Sequence, residues 1–292
     1  MKPVRLASFA LAGALALAGG SPLLAAEKLV VALKPDKNPE QMLSERRTLA
    51  EYLQGALGRP AEVIVPLSAA VILEGLANGT LDLAYLSASD MLNARRAQSA
   101  DVLLAGEIGG RPEYRSYWVA LAGKPFTKVE DLRGRRVAFS SRTSTSGYVI
   151  PHADLVRRGL LKAGASPDEF FGAGNVWYGS GYVSAVERVL SGEAEAAAIS
   201  YYVLDEDKHL NVEQRRRLKK VAEQGPVPTH VLAVRRTLTG APREALRQAL
   251  LALNEPARAG LRDRVFTSKL VAVDEAKHLA PLEEALRLIG AR

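Results

Sequence analysis

The sequence predicts an α/β fold of two lobes, each a mixed, mostly parallel sheet flanked by helices. Three observations predict it. Short apolar or β-branched runs alternate with helical stretches along the chain beyond residue 27. Two segments, 114–119 and 225–230, read as crossings between lobes, and Pro226 and Pro228 stiffen the second. Length agrees: 26 of the 292 residues read as a leader, and the remaining 266 suffice for two modest lobes. One large domain is the alternative on length alone. The expected division is 27–113 with 229–292 in lobe one, and 114–228 in lobe two.

The N-terminus reads MKPVRLASFALAGALALAGGSPLLAA. Two early positive charges, an apolar run and a small-residue end make a secretory signal peptide, with cleavage expected after Ala26. The apolar run is short for a membrane span. An exported protein follows. The chain has no cysteine, so disulfides, thiolate metal sites and cysteine nucleophiles are excluded. The formal net charge of +7 falls by the leader's two positives to +5. That balance suits an anionic ligand or surface. The basic run 215–220 (RRRLKK) reads as a solvated helix face, and with few aromatics a nucleic-acid partner is not expected.

The elements follow in order. Residues 28–33 (KLVVAL) form a buried strand. Residues 39–57 form a helix with Leu43, Leu49, Leu53 and Leu57 along one side and Gly58 as its stop. Strand 61–65 precedes helix 69–78, which Asn78-Gly79 ends. Strand 81–85, helix 90–98 and strand 102–107 come next. A long strand spans 114–122, where Trp118 is expected to pack. VEDLRG is a helical turn, and strand 136–139 feeds a polar loop. A helix then runs to near Gly164. Strand 173–177, helix 183–190, strand 196–199, a helix over 213–220, strand 230–235, and helices 242–253 and 273–289 complete the chain.

The polar loop carries the chemistry. Residues 139–152 read FSSRTSTSGYVIPH: strand, small hydroxyl side chains, glycine, helix. At a helix start the first N–H groups lack intrahelical partners, and the helix dipole adds partial positive charge. Ser144, Thr145 and Ser146 add hydroxyl donors, and Gly147 lets an oxyanion approach the backbone. Pro151 is tolerable only near the first turn. An ordinary N-cap with a polar lead-in is the alternative. Other candidates are Ser87 and Ser89 beyond a strand end, Tyr178 and Tyr182 flanking GSG, and His230 at a crossing. Turns, core packing and a structural histidine are their alternatives. Arg142 reads as a solvated loop charge or an anion partner.

These segments resemble the phosphate/phosphite/phosphonate-binding family of periplasmic substrate-binding proteins of ABC importers. The resemblance rests on ERRTLAEYLQGALGRPAEVIV, LEGLANGTLDLAYLSASD, VEDLRGRRVAFSSRTSTSGYVIP, VERVLSGEAEAAAIS and GPVPTHVLAVRR. It implies a type II periplasmic binding fold with a ligand cleft between lobes, closing by a hinge motion at the crossings. It also implies an oxyanion held by Ser144, Thr145, Ser146 and Gly147, and an importer permease as partner. No cofactor is expected, and the protein is expected as a monomer.

Departures from the family pattern matter. Asp90 or Met91, and Ser68 or Ala69, stand where tyrosines are common. Gly181-Tyr182 replaces a glycine–histidine pair, and Ser200 followed by Tyr201 replaces an aspartate. The pocket beyond the cradle is therefore rebuilt, and 2-aminoethylphosphonate, whose amine wants carboxylates, is not assumed. A different small oxyanion or phosphorus oxyacid is expected. A secreted hydrolase needs a base beside the serine-rich loop, yet no HExxH, GxSxG or GxxxxGK[ST] pattern occurs. A ligand-binding partner of a membrane sensor would share every feature named above.

Overall fold

The computed structural model describes residues 27–33, 39–206, 209–266 and 268–291; the expected leader lies outside them. Two sheets organise the chain. The first contains β1 (Leu29–Ala32), β2 (Ala61–Ile64), β3 (Leu83–Leu86), β4 (Ala100–Glu107), β10 (Val231–Arg235) and β11 (Lys269–Val271), in the order β11-β4-β10-β3-β1-β2. The second contains β5 (Glu113–Leu121), β6 (Val137–Phe139), β7 (Val176–Tyr178), β8 (Ala196–Ser200) and β9 (Leu218–Pro228), in the order β7-β6-β8-β5-β9. The chain passes between the sheets twice, before Glu113 and after Pro228.

Helices α1 (Pro39–Leu57), α2 (Ala69–Asn78), α3 (Ala88–Arg96), α4 (Ile150–Arg157), α5 (Asp168–Phe171) and α6 (Tyr182–Leu190) follow the chain. Then come α7 (Tyr201–Asp205), α8 (Val212–Arg216), α9 (Gly240–Leu251), α10 (Ala259–Val265) and α11 (Glu275–Leu288). Local chemistry explains their ends. Ser68 caps α2 by accepting from the Val71 N–H, and Gly79, at φ 81°, terminates it in the left-handed region.

The expectation of mostly parallel sheets is corrected. Among the described residues four strand pairings are parallel and five antiparallel. The antiparallel ones come from β5, β9, β10 and β11, the strands that cross between sheets or return late in the chain. The helix expected over 213–220 stops at Arg216, and Leu218 opens β9 against Leu121. Leu218 and Val221 are buried there, so the basic run ends in a strand. Pro226 and Pro228 lie in the last residues of that strand. The helix expected to reach Gly164 ends at Arg157, with Gly159 at φ 68° two residues on. In α1, Leu43 is 60% exposed, and Met42 takes the buried position with Leu49 and Leu53. Helices α5, α7 and α10 and strand β11 are short elements without a sequence expectation.

Trp118 is fully buried on β5, with ring centroids of Phe139 at 5.3 Å and Phe171 at 5.4 Å. One apolar core joins both sides: Leu86 and Met91 pack with Val149, Ile150, Ala153 and Val227, and with Leu279 and Leu282 of α11. A groove of about 300 Å³ lies where the crossing residues Pro112, Pro226 and Pro228 meet α11 at His278 and Pro281.

Two buried histidines set a pH dependence. His152 Nε2 lies 3.0 Å from the Ala165 carbonyl, and His278 Nε2 3.1 Å from that of Thr229. Burial pushes both pKa values below the usual 6.5, against a smaller upward pull from these carbonyls. The unfolded chain therefore binds protons below about 6.5 that the folded one refuses, and stability falls as pH drops through that window. The melting temperature should fall from neutral pH toward pH ~5, and His278→Gln should flatten the slope. An unchanged slope in both His152→Gln and His278→Gln would reject this source.

Candidate functional site

The quoted loop folds as a cap followed by an unusual first turn. Ser144, extended at φ −71° and ψ 122°, accepts the Gly147 N–H on its hydroxyl at 3.0 Å. Residues Thr145–Val149 wind as a π-helix: Val149 N–H donates to the Ser144 carbonyl, and Ile150 N–H to that of Thr145. The next donor in this register would be residue 151, which is proline and has no N–H. The Ser146 carbonyl is thus released from the helix. Ser116 of β5 fills the gap, its hydroxyl donating to that carbonyl at 2.6 Å. Ser116 in turn accepts from the Gln224 side-chain amide of β9 at 2.8 Å.

Other contacts bring the expected residues together. Ser89 of α3 meets the Thr145 hydroxyl at 2.7 Å, linking the unit of the first sheet to the loop of the second. Ser87 caps α3 by accepting from the Asp90 N–H and donates to the Asp90 carboxylate at 2.6 Å. Ser146 is fully buried; its hydroxyl accepts from Tyr114 at 3.2 Å and lies 2.6 Å from the Tyr182 hydroxyl. Tyr182 is the first residue of α6, after Gly181 in extended backbone. Side chains from the first residues of α3 and α6 therefore meet the π-turn leading into α4 at Thr145 and Ser146. No lysine or arginine takes part in these hydrogen bonds.

The remaining expected residues form a rim and a flank. Tyr201 of α7 packs against Tyr114 (5.9 Å between centroids) and Tyr202 (5.7 Å), and Tyr202 reaches Tyr182 at 5.8 Å. Ser200 is paired with Ser116 across β8 and β5 and fully buried, and its hydroxyl has no hydrogen-bond partner among the described residues. The His230 ring lies 5.3 Å from that of Tyr85 on β3, tilted by 30°. Tyr178 packs instead against Phe139 and Tyr148, with the Arg142 guanidinium 3.7 Å from its ring centroid. That cation–π contact is a third environment for Arg142, distinct from both sequence alternatives.

Gly147 carries a different burden from the one expected. Its N–H is taken by Ser144, and an added Cβ would lie 2.5 Å from Ser140 Cβ and 2.8 Å from Ser144 Oγ. The missing side chain makes room for neighbouring serines.

Tyr114, Tyr201 and Tyr178 are held in the protonated, donor form. Burial raises Tyr114 well above the usual value, with further upward pull from Tyr182. Burial, then Glu206, raises Tyr201, and Tyr178 is pushed up to about 12, first by burial. Sequence reading missed Tyr114, Ser116, Tyr202 and Gln224. Positions 114 and 116 share a strand face, a signal available from YRSYW. Nothing local marks Gln224, because register shifts interrupt the β5–β9 pairing.

Two α/β units joined by crossing strands, with side chains from both meeting at one polar junction, fit the class of periplasmic substrate-binding proteins. The sequence matches, over residues 31–278, the family described as the periplasmic substrate-binding protein of phosphonate ABC transporters. The chain belongs to this family, one of transport proteins rather than enzymes.

The phosphate-import protein PhnD of Mycolicibacterium smegmatis is 26% identical over 175 residues, covering 58% of this chain and 54% of the relative. The match thus spans about half of that relative's length. Among solved structures, PhnD1 of Prochlorococcus marinus in complex with methylphosphonate superposes with a TM-score of 0.76 at 18% identity, covering 91% of this chain and 99% of that one. XAC2383 of Xanthomonas citri bound to ATP gives 0.73 at 22% identity, covering 89% and 98%. At these identities the structures share the fold.

Proposed function

We propose that this protein is the periplasmic solute-binding component of an ABC importer and holds a small oxyanion or phosphorus oxyacid between lobes 27–113 with 229–292 and 114–228. The carrying observation is the meeting of side chains from α3, α6 and the π-turn at Thr145 and Ser146, joined across the two units by the Ser89–Thr145 contact. Such a junction supplies donors without a formal counter-ion, which suits an anion that must later be released. Ser144, Thr145 and Ser146 are its proposed donors, and Tyr182, Ser89 and Tyr201 its rim. Ligands found in structural neighbours, methylphosphonate and ATP, share a phosphorus oxyanion head. The family relationship supports an importer permease as partner, and the leader sequence an exported location.

The test is a thermal-shift and calorimetric screen of the chain from residue 27 against phosphate, phosphite, methylphosphonate, 2-aminoethylphosphonate, sulfate and ATP. A ligand at 100 times its dissociation constant adds about 2.7 kcal/mol of stability, a readily measured shift. Replacing Ser144, Thr145 and Ser146 together by alanine should weaken the bound anion about 100-fold or more, since each bond to a charged group is worth about 1.5–3 kcal/mol. Undiminished affinity in that variant would move the anion site elsewhere; no shift with any anion would remove the oxyanion reading.

A further inference from the structure

The geometry points to Gln224 and Ser116 as positioning residues that set the proton direction of the anion cradle from beneath. This inference rests on the proposed anion site. It starts from a single fact about Ser146: its carbonyl can only accept, and Pro151 has removed the helical N–H that would have filled it. Ser116 Oγ, 2.6 Å away, must therefore spend its one proton there. With that proton committed, Ser116 can only accept from Gln224, so the Gln224 amide must present its NH₂ group, at 2.8 Å. The orientation of the amide follows from this count of protons.

The chain continues through the peptide. The Ser146 carbonyl and the Gly147 N–H belong to one peptide unit, and donation to the carbonyl makes its N–H a stronger donor. That N–H donates to Ser144 Oγ at 3.0 Å. Ser144, having accepted, keeps its own proton to give outward. The order is Gln224 NH₂ to Ser116, Ser116 to the 146–147 peptide, peptide to Ser144, and Ser144 to the anion. Every link points the same way. Gln224, Ser116 and Ser146 are 3%, 0% and 0% exposed, so water cannot substitute for a missing link. The root of the chain lies on β9 and β5, the two strands that lead into the crossings, so the cradle and the crossings share one hydrogen-bonded wire.

Isolated Gln224→Leu, Ser116→Ala and double variants test this, with methylphosphonate and inorganic phosphate as probes. Each single variant should weaken the anion bound by the parent about fivefold to tenfold, and the double variant should be no worse than Ser116→Ala, because both cut one wire. Gln224→Glu keeps the shape but cannot donate while ionised. It should bind more weakly than the parent at pH ~8 and recover relative to the parent in acid, as the buried carboxyl takes a proton. The amide proton resonance of Gly147 should move upfield in Gln224→Leu.

A lowered melting temperature with unchanged affinity in Gln224→Leu would make these residues purely structural and overturn the inference. Additive losses in the double variant, or a Gly147 amide unmoved in Gln224→Leu, would overturn it too. If the parent chain binds neither these probes nor any other anion of the screen above, the anion-site reading fails on its own, and the Gly147 resonance still decides whether the wire exists.

Discussion

Gly147→Ala is expected to lower stability by about 1–3 kcal/mol, the range for forcing a methyl into a packed interior. The new Cβ would lie 2.5 Å from Ser140 Cβ and 2.8 Å from Ser144 Oγ. Neither neighbour is free to yield. Ser140 is buried, donates through its hydroxyl to the Ala198 carbonyl at 2.9 Å and through its N–H to the Gly147 carbonyl at 3.1 Å. Ser144 holds the Gly147 N–H. Displacing either opens the cap that presents the hydroxyl donors, so anion binding should fall with stability. Ser140→Gly removes the obstructing atoms. In the Gly147→Ala background it should therefore recover part of the lost melting temperature, whereas Ser140→Gly alone should destabilise by losing the Ala198 bond. Denaturant unfolding of the four proteins checks the cycle. A Gly147→Ala protein as stable as the parent would show that the serines can step aside.

Asp82→Ala is expected to cost about 3–5 kcal/mol, the loss typical when one partner of a buried ion pair is removed. Asp82 is 7% exposed. One carboxylate oxygen accepts from Arg235 Nε at 2.8 Å, and the other from the Val30 N–H at 2.8 Å. The same residue's backbone bonds Val30 and Arg235 again, so β1, the start of β3 and β10 meet at one side chain. Alanine strands a guanidinium whose side chain is 16% exposed and orphans a strand N–H. Asp82→Asn keeps an acceptor for Val30 while losing the charge, and should cost less. Urea unfolding midpoints read both. Affinity for any anion should not follow, because Asp82 takes no part in the junction around Thr145; a loss under 1 kcal/mol in Asp82→Ala would mean that Arg235 finds water.

How much of this was legible depends on the range of the interaction. The strands and helices that repeat a local pattern are found near where the sequence puts them, as with Leu49 and Leu53 in α1 and the Asn78-Gly79 stop of α2. The run 215–220 misled because its charges suit a helix, while burial of Leu218 and Val221 against β5 is a tertiary matter. The same holds within the site. Ser144, Thr145, Ser146, Ser89 and Tyr182 are brought together as a set, although Tyr178 turns to the Phe139 core and His230 to Tyr85.

What the sequence by itself determined is local: the serine-rich start of a helix, the proline that denies it a donor, and the alternation that makes an α/β chain. These depend on neighbours a few residues apart, whose steric and hydrogen-bonding preferences travel with the residues. Only the tertiary structure decided which distant groups answer them. Ser116, 30 positions from Ser146, reaches its carbonyl, and Gln224, 78 positions away, reaches Ser116, because β5 and β9 pair in the register they do. The antiparallel share of the sheets, and the room that Gly147 leaves for Ser140, follow from the same long-range packing. A buried polar group must find a partner wherever the fold brings one, and nothing local in the chain names that partner in advance.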